Sequence, residues 1–156
     1  MPPWLSNVRD FQKKEENSHS SSWVQLATMG LDNTPRVRTV VFRGWSYSYE
    51  MKILTDKRSK KFQELESNNH VEVCWLFPKS KCQFRFRGTS TIDSSKDTLS
   101  HWKQLDDEAK PMWCWPNPGE LFVQANEKIC FDKRDVMSDN FTLLKIEIIN
   151  VDQLLL

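Results

Sequence analysis

Glycine is scarce in this chain, with four residues in 156. Neither a Gly-x-Gly-x-x-Gly nor a P-loop pattern occurs, so glycine-rich phosphate cradles are excluded. Histidine is scarcer still: His19, His70 and His101 are scattered, without His-x-x-x-His spacing or the order of a catalytic triad. Each reads as structural or surface, and hydrolase or nucleotide-triphosphatase chemistry has no support. The four cysteines, Cys74, Cys82, Cys114 and Cys130, form no Cys-x-x-Cys pair. They read as reduced thiols in a cytosolic protein, with neither a disulfide frame nor a metal site expected. Long apolar runs are also missing, and the N-terminus reaches Lys13-Lys14-Glu15-Glu16 before one develops. Neither secretion nor membrane insertion is therefore expected, and the reading is a soluble cytoplasmic protein.

Aromatic residues, by contrast, are plentiful, with seven Trp and nine Phe. Together with a length near the commonest domain size, they predict one core and a single domain over residues 1–156. The net charge of +1 argues against a general polyanion or nucleic-acid binder. Its distribution is uneven, because residues 36–87 hold 12 Lys/Arg against 5 Asp/Glu. A basic middle within an acidic frame points to a local anion site.

Trp4, Leu5, Val8 and Phe11 recur at helical spacing and predict an amphipathic helix over 3–16. Trp23 to Met29 reads as a strand, followed by a hairpin turn from Gly30 to Pro35. In the next strand, 36–43, Arg38, Val40 and Phe42 share one face, while Val37, Thr39, Val41 and Arg43 share the other. Further strands are expected at Met51 to Thr55, Glu72 to Phe77, Gln83 to Ile92 and Phe141 to Ile149. A short helix follows Ser59, its expected N-cap, and another follows the capping-box pattern Ser94-Ser95-Lys96-Asp97. The stretch from Pro111 to Gly119 is expected to be irregular. Six or more strands joined by short turns predict a mainly β (α+β) fold: an antiparallel barrel with peripheral helices.

Three cationic segments stand out in order: Arg38 to Arg43, Leu54 to Lys61, and Gln83 to Gly88. Phosphate monoesters are held by Arg forks, Lys charges and hydroxyl donors, and Ser59, Lys60 and Lys61 supply such groups at a helix N-terminus. Arg38, on a neighbouring strand, could close the pocket. Taken alone, the run Lys57 to Lys61 also fits a solvated basic turn. The carboxamide of Gln83 could pair with the mixed edge of a pyrimidine-like ring, although a lone Gln at a strand start reads more simply as surface. Trp113-Cys114-Trp115-Pro116 fits core or subunit contact better than stacking on a flat ring.

Arg38-x-Val40-x-x-Arg43, Leu54-Thr55-Asp56 with Ser59-Lys60-Lys61, and Gln83-x-Arg85-x-x-Gly88 together resemble the pyridoxamine 5′-phosphate oxidase family of FMN-binding split barrels. Residues 35–44, 71–77 and 115–119 are similar to its oxidase-like branch from cyanobacteria, plants and fungi. The resemblance implies a six-stranded antiparallel split barrel and a homodimer with FMN at the subunit interface. It further implies hydride transfer from a small-molecule substrate such as pyridoxamine or pyridoxine 5′-phosphate to FMN. Arg38, Thr39, Val40, Val41 and Arg43 would line the flavin and its ribityl-phosphate, and Leu54 and Thr55 would sit under the ring. Ser59, Lys60 and Lys61 would hold the phosphate, and Gln83 would meet the polar edge of the ring. Arg43 falls where the family often has a substrate-facing lysine, and Lys110 lies in the region that binds substrate. That region, His101 to Met112, lacks the family's Tyr-x-x-x-Arg pattern, and residues 151–156 lack its Arg and His motif. An FMN-dependent oxidoreductase for another small molecule, or a flavin-binding dimer without turnover, therefore remain alternatives.

Overall fold

Alternating apolar residues build the core. In the computed structural model, which describes residues 1–16, 18, 21–93, 95–114 and 136–156, six antiparallel strands close into a barrel. They are β1 (Trp23–Met29), β2 (Pro35–Trp45), β3 (Met51–Asp56), β4 (His70–Phe77), β5 (Cys82–Asp93) and β6 (Phe141–Leu155). Their order around the barrel is β1-β2-β3-β6-β5-β4. Val71, Val73, Trp75 and Phe77 of β4, with Cys82, Phe84 and Phe86 of β5, point inward and are buried. The predicted face assignment on β2 holds: Phe42 is buried and Val40 packs against the core, whereas Val37, Thr39 and Arg43 are exposed.

Helix α1 (Pro3–Lys14) lays Trp4, Leu5, Val8 and Phe11 against the barrel. Trp4 meets Phe86 edge-on at 5.7 Å between ring centroids, and Phe11 meets Phe84 at 5.6 Å. At the end of α1 the buried Glu15 accepts hydrogen bonds from the backbone N–H groups of Lys79 (2.8 Å) and Ser80 (3.3 Å). The carboxylate thus satisfies donors of the β4–β5 turn that would otherwise be left unpaired. The β1–β2 turn forms as expected, with Gly30 N–H donating to Thr34 O at 2.8 Å and Asn33 in the left-handed region at φ 59°. Helices α2 (Lys60–Ser67) and α3 (Lys96–Lys103) cover the outside, and Ser95 caps α3 by accepting from the Asp97 N–H.

Most element bounds lie within two residues of expectation, and two regions differ by more. The segment 111–119 is not wholly irregular, since Lys110–Cys114 forms a short 3₁₀ helix; its remainder lies outside the described residues, as do His19, Ser94 and Cys130. The last strand runs to Leu155 and pairs with β5 as far as Cys82, rather than stopping at Ile149. Asn150 and Asp152 interrupt the apolar pattern there, but an edge facing solvent tolerates them. The first half of β6 pairs with β3, so this one strand joins both halves of the barrel.

The β5–β6 register shifts at Arg87/Gly88, and there the two backbones approach closely. A Cβ on Gly88 would lie 2.0 Å from the Glu147 carbonyl oxygen. Backbone cannot yield as a flexible side chain can. Gly88→Ala should therefore destabilise the fold by about 3 kcal/mol or more, read as a fall in the urea midpoint; an unchanged midpoint would contradict this account of the glycine.

Candidate functional site

The polar cluster lies where β1, β2 and the end of β3 meet α2. Arg38 donates from Nη2 to Glu64 Oε2 at 2.6 Å, and from Nη1 to Thr28 Oγ1 and to the Leu26 carbonyl at 3.3 Å. Thr28 in turn donates to Glu64 Oε2 at 2.6 Å. Glu64 is buried on the inner face of α2, while the Arg38 side chain keeps a quarter of its surface open. Lys61 donates to Ser59 Oγ at 3.3 Å, and Ser59 Oγ donates to the Asp56 carbonyl at 2.7 Å. Ser59 occupies the N-cap position of α2 as expected, but its side chain caps no helix amide because it is turned to Asp56. Burial, and then the charge of Arg38, hold the Lys61 ammonium below the ordinary lysine pKa, with Asp56 and Glu64 acting in the opposite direction.

Around this centre the predicted residues divide. Arg38, Ser59 and Lys61 come together, and Thr55, buried on β3, stands next to Asp56 in the chain with no hydrogen-bond partner on its hydroxyl. An orphaned buried hydroxyl fits a polar ligand that would complete it. Lys60 diverges from Lys61 and borders a cleft of about 300 Å³ with Gly30, Asp32, Arg36 and Gln63. Thr39 is exposed and Val41 and Leu54 are half-buried, on strand positions that alternate with the inward-facing ones. Arg43 sits on the outer side of β2, where its charge reaches His101 of α3. The Lys110 side chain is tucked in and its ammonium pairs with Asp107 at 2.9 Å.

Gln83 is brought to a different place. It pairs with Leu76 on β4 and Leu154 on β6, whereas Thr55 pairs with Thr142 at the opposite end of β6. Those two β6 positions are twelve residues apart, about 40 Å along an extended strand. Trp113 packs edge-on against Phe141 with 4.8 Å between centroids, the core contact weighed for it; Trp115 and Pro116 lie outside the described residues.

Sequence patterning missed Thr28 and Glu64. The available signal was spacing: Glu64 follows Lys61 by three on one helix face, flanked by the buried Phe62 and Leu65. It also missed a charged network on α3, in which Asp97 meets Lys52 (3.2 Å) and Lys145 (3.2 Å) while Lys145 also reaches Asp93 (3.5 Å). Burial alone would raise the Asp97 pKa, but the two lysines reverse this and hold it below the usual range.

A cation-rich, half-buried cluster on such a barrel is suited to hold an anion. The protein-family model "Pyridoxamine 5'-phosphate oxidase, FMN-binding domain" matches residues 1–94. The pyridoxine/pyridoxamine 5′-phosphate oxidase 2 of Arabidopsis thaliana is 34% identical over 165 residues, covering 97% of this chain and 82% of that protein. The pyridoxine/pyridoxamine 5′-phosphate oxidase of Psychrobacter cryohalolentis is 33% identical over 145 residues; the match covers 92% of this chain and 62% of that longer protein. Among solved structures, a pyridoxamine 5′-phosphate oxidase-related, FMN-binding protein from Nostoc punctiforme superimposes with a TM-score of 0.90 at 27% identity, covering 98% of this chain and 84% of that one. The chain belongs to the pyridoxamine 5′-phosphate oxidase family and carries its FMN-binding domain. No helix among the described residues is long and apolar enough to cross a membrane.

The depressed Lys61 pKa has a consequence for stability. The unfolded lysine holds its proton more tightly than the folded one, so the fold bears a cost at neutral pH that fades as pH climbs toward 10.5. Lys61→Met should raise the melting temperature of the ligand-free protein at pH 7, and the gain should shrink in alkaline buffer. A lower melting temperature at pH 7 would show that the ammonium stabilises the fold.

Proposed function

We propose that this protein binds FMN and transfers hydride from a small reduced substrate to it, with the phosphate held by Arg38, Ser59 and Lys61. The observation that carries the reading is the meeting of Arg38 and Lys61 around Glu64, in a chain with the family's FMN-binding domain. The isoalloxazine, when bound, supplies the hydride-accepting chemistry; the protein supplies position and electrostatics. Arg38 presents the unused edge of a fixed guanidinium, Lys61 a point charge whose desolvation is already met by folding, and Thr55 a hydroxyl with an open valence. Lys60 adds a longer-range charge from the neighbouring cleft. Thr39, Val40, Val41 and Leu54 give the flavin apolar and backbone surface along β2 and β3.

The site is completed by a second copy of the chain. Gln83 sits in an apolar row on the outer surface, on the side of β5 opposite its buried residues, whereas Arg38 shares the inward face of β2. Leu76 and Leu154 flank it as strand partners, and extending the β1–β4 register by two residues sets Trp23 beside Leu76. Trp23, Leu76 and Leu154 are all exposed in the single chain. A homodimer buries this row and delivers the partner's carboxamide to the ring edge. Replacing both Leu76 and Leu154 with Glu should convert a dimer to a monomer by light scattering and weaken flavin binding with it. A wild-type monomer that binds FMN would sink the shared site.

Two substrate readings use the same flavin site. The relatives' names support pyridoxamine or pyridoxine 5′-phosphate, with Arg43 facing the substrate. The pairing of Lys110 with Asp107, and a substrate region without Tyr-x-x-x-Arg, favour another reduced small molecule. FMN-loaded protein should form pyridoxal 5′-phosphate from pyridoxine 5′-phosphate under oxygen on the first reading. Anaerobic bleaching of the flavin by NADPH without that product supports the second. For the cofactor itself, the purified protein should show the flavin absorbance bands, and Arg38→Ala with Lys61→Ala should weaken FMN binding by about 3–6 kcal/mol if the two losses add. Unchanged affinity in that double variant would overturn the phosphate assignment.

A further inference from the structure

Two cations held close together in a half-buried site repel each other, and each has lost part of its hydration. Glu64 is the group that makes the arrangement tolerable. Its Oε2 accepts from the Arg38 fork and from Thr28, both at 2.6 Å, and its charge favours the Lys61 ammonium. It lies three residues after Lys61 on α2, so one carboxylate fixes a strand cation against a helix cation. We propose that Glu64 is a positioning residue of the phosphate site: it aims the Arg38 guanidinium and supplies the buried counter-charge that keeps Arg38 and Lys61 side by side. This role rests on the reading that the cluster holds the FMN phosphate.

The geometry favours positioning over simple stabilisation. Nη2 is engaged by Glu64, and Nη1 by Thr28 and the Leu26 and Arg36 carbonyls, which leaves Nε–H and the second Nη2 N–H. A quarter of the Arg38 side chain stays open, so the remaining N–H groups are free to face a ligand. The local charge also suits the ligand. Lys61 and Arg38 oppose Glu64, while Arg58 is neutralised by its two-pronged pair with Asp56. Two cations and one carboxylate leave a net positive site, which favours an anionic phosphate. A neutral flavin without the phosphate gains nothing from it. By holding Arg38 in place for the phosphate, Glu64 serves selection for the phosphorylated flavin.

The test is a fluorescence titration of wild type, Glu64→Gln and Glu64→Asp with FMN and with riboflavin, from pH 7 to 10. Glutamine keeps the shape and an acceptor but removes the charge. FMN affinity should fall tenfold or more in E64Q while riboflavin affinity stays within twofold, and E64D should recover part of the loss. The groups facing Lys61 are Arg38 from β2, Asp56 from β3, and Ser59 and Glu64 at and within α2. Without Glu64, only Asp56 is left to favour its proton, so the alkaline loss of FMN binding should move to lower pH in E64Q. Lys61→Arg in that background should abolish the shift. Equal weakening of both flavins, or FMN binding in E64Q as tight as wild type or tighter, would overturn the proposal. If E64Q does not fold, Thr28→Val loosens the same pair without burying a lone charge, and the same FMN-selective loss is expected; unchanged FMN affinity there overturns the role. Wild-type protein that fails to bind FMN at all would instead remove the underlying reading of the site.

Discussion

The cost of holding like charges in a half-buried place governs this molecule. Arg38 and Lys61 each lose hydration where β2 meets α2, and each feels the other. The fold answers with Glu64, which pairs with Arg38, and with the charge of Asp56, whose carboxylate is held by Arg58. Breaking such a pair by removing one partner is costly because the survivor is left uncompensated. The compensation is incomplete, since Lys61 still sits below the ordinary lysine range. That residual cost is consistent with a site organised for an anion that is bound later.

The rest of the architecture fixes the members of this cluster. Arg38 and Thr28 point inward from β2 and β1 because those strands alternate around a core of Leu26, Phe42, Val73 and Trp75. α2 presents Lys61 and Glu64 on one side because Phe62 and Leu65 anchor it. β6 carries the constraint across the barrel by pairing first with β3 and then with β5, with Gly88 permitting the close approach at the change of register. On the other side of β3, Asp97 links Lys52 and Lys145, so α3 is seated by charge as well as by Trp102. Neutralising Asp97 would leave two partly buried lysines facing one another.

The barrel was legible from residues wherever one face is apolar throughout. The apolar run from Glu72 to Phe77 announces β4, whose buried face is Val71, Val73, Trp75 and Phe77, and the face assignment on β2 holds because its side chains alternate. The end of β6 was not legible, because Asn150 and Asp152 break the apolar pattern while still pairing through their backbone. Cations were legible as an anion site because their density exceeds what a barrel needs. Their counter-charges were not: a glutamate in a helix with mixed polarity gives no sign that it is buried, and Glu64 and Glu15 both are. The segment order identified the family, which the family model and the Arabidopsis relative show independently. No periodicity or spacing could reveal that Gln83 and Arg38 lie at separate places on one protomer.

The central claim is that Arg38 and Lys61 form the seat of a phosphate dianion. A crystal structure of the FMN-loaded protein tests it most directly. Phosphate oxygens are expected within hydrogen-bond reach of Arg38, Ser59 and Lys61, with the Arg38–Glu64 pair intact behind them. FMN bound with its phosphate elsewhere, leaving those three side chains as they stand in the ligand-free chain, would contradict it.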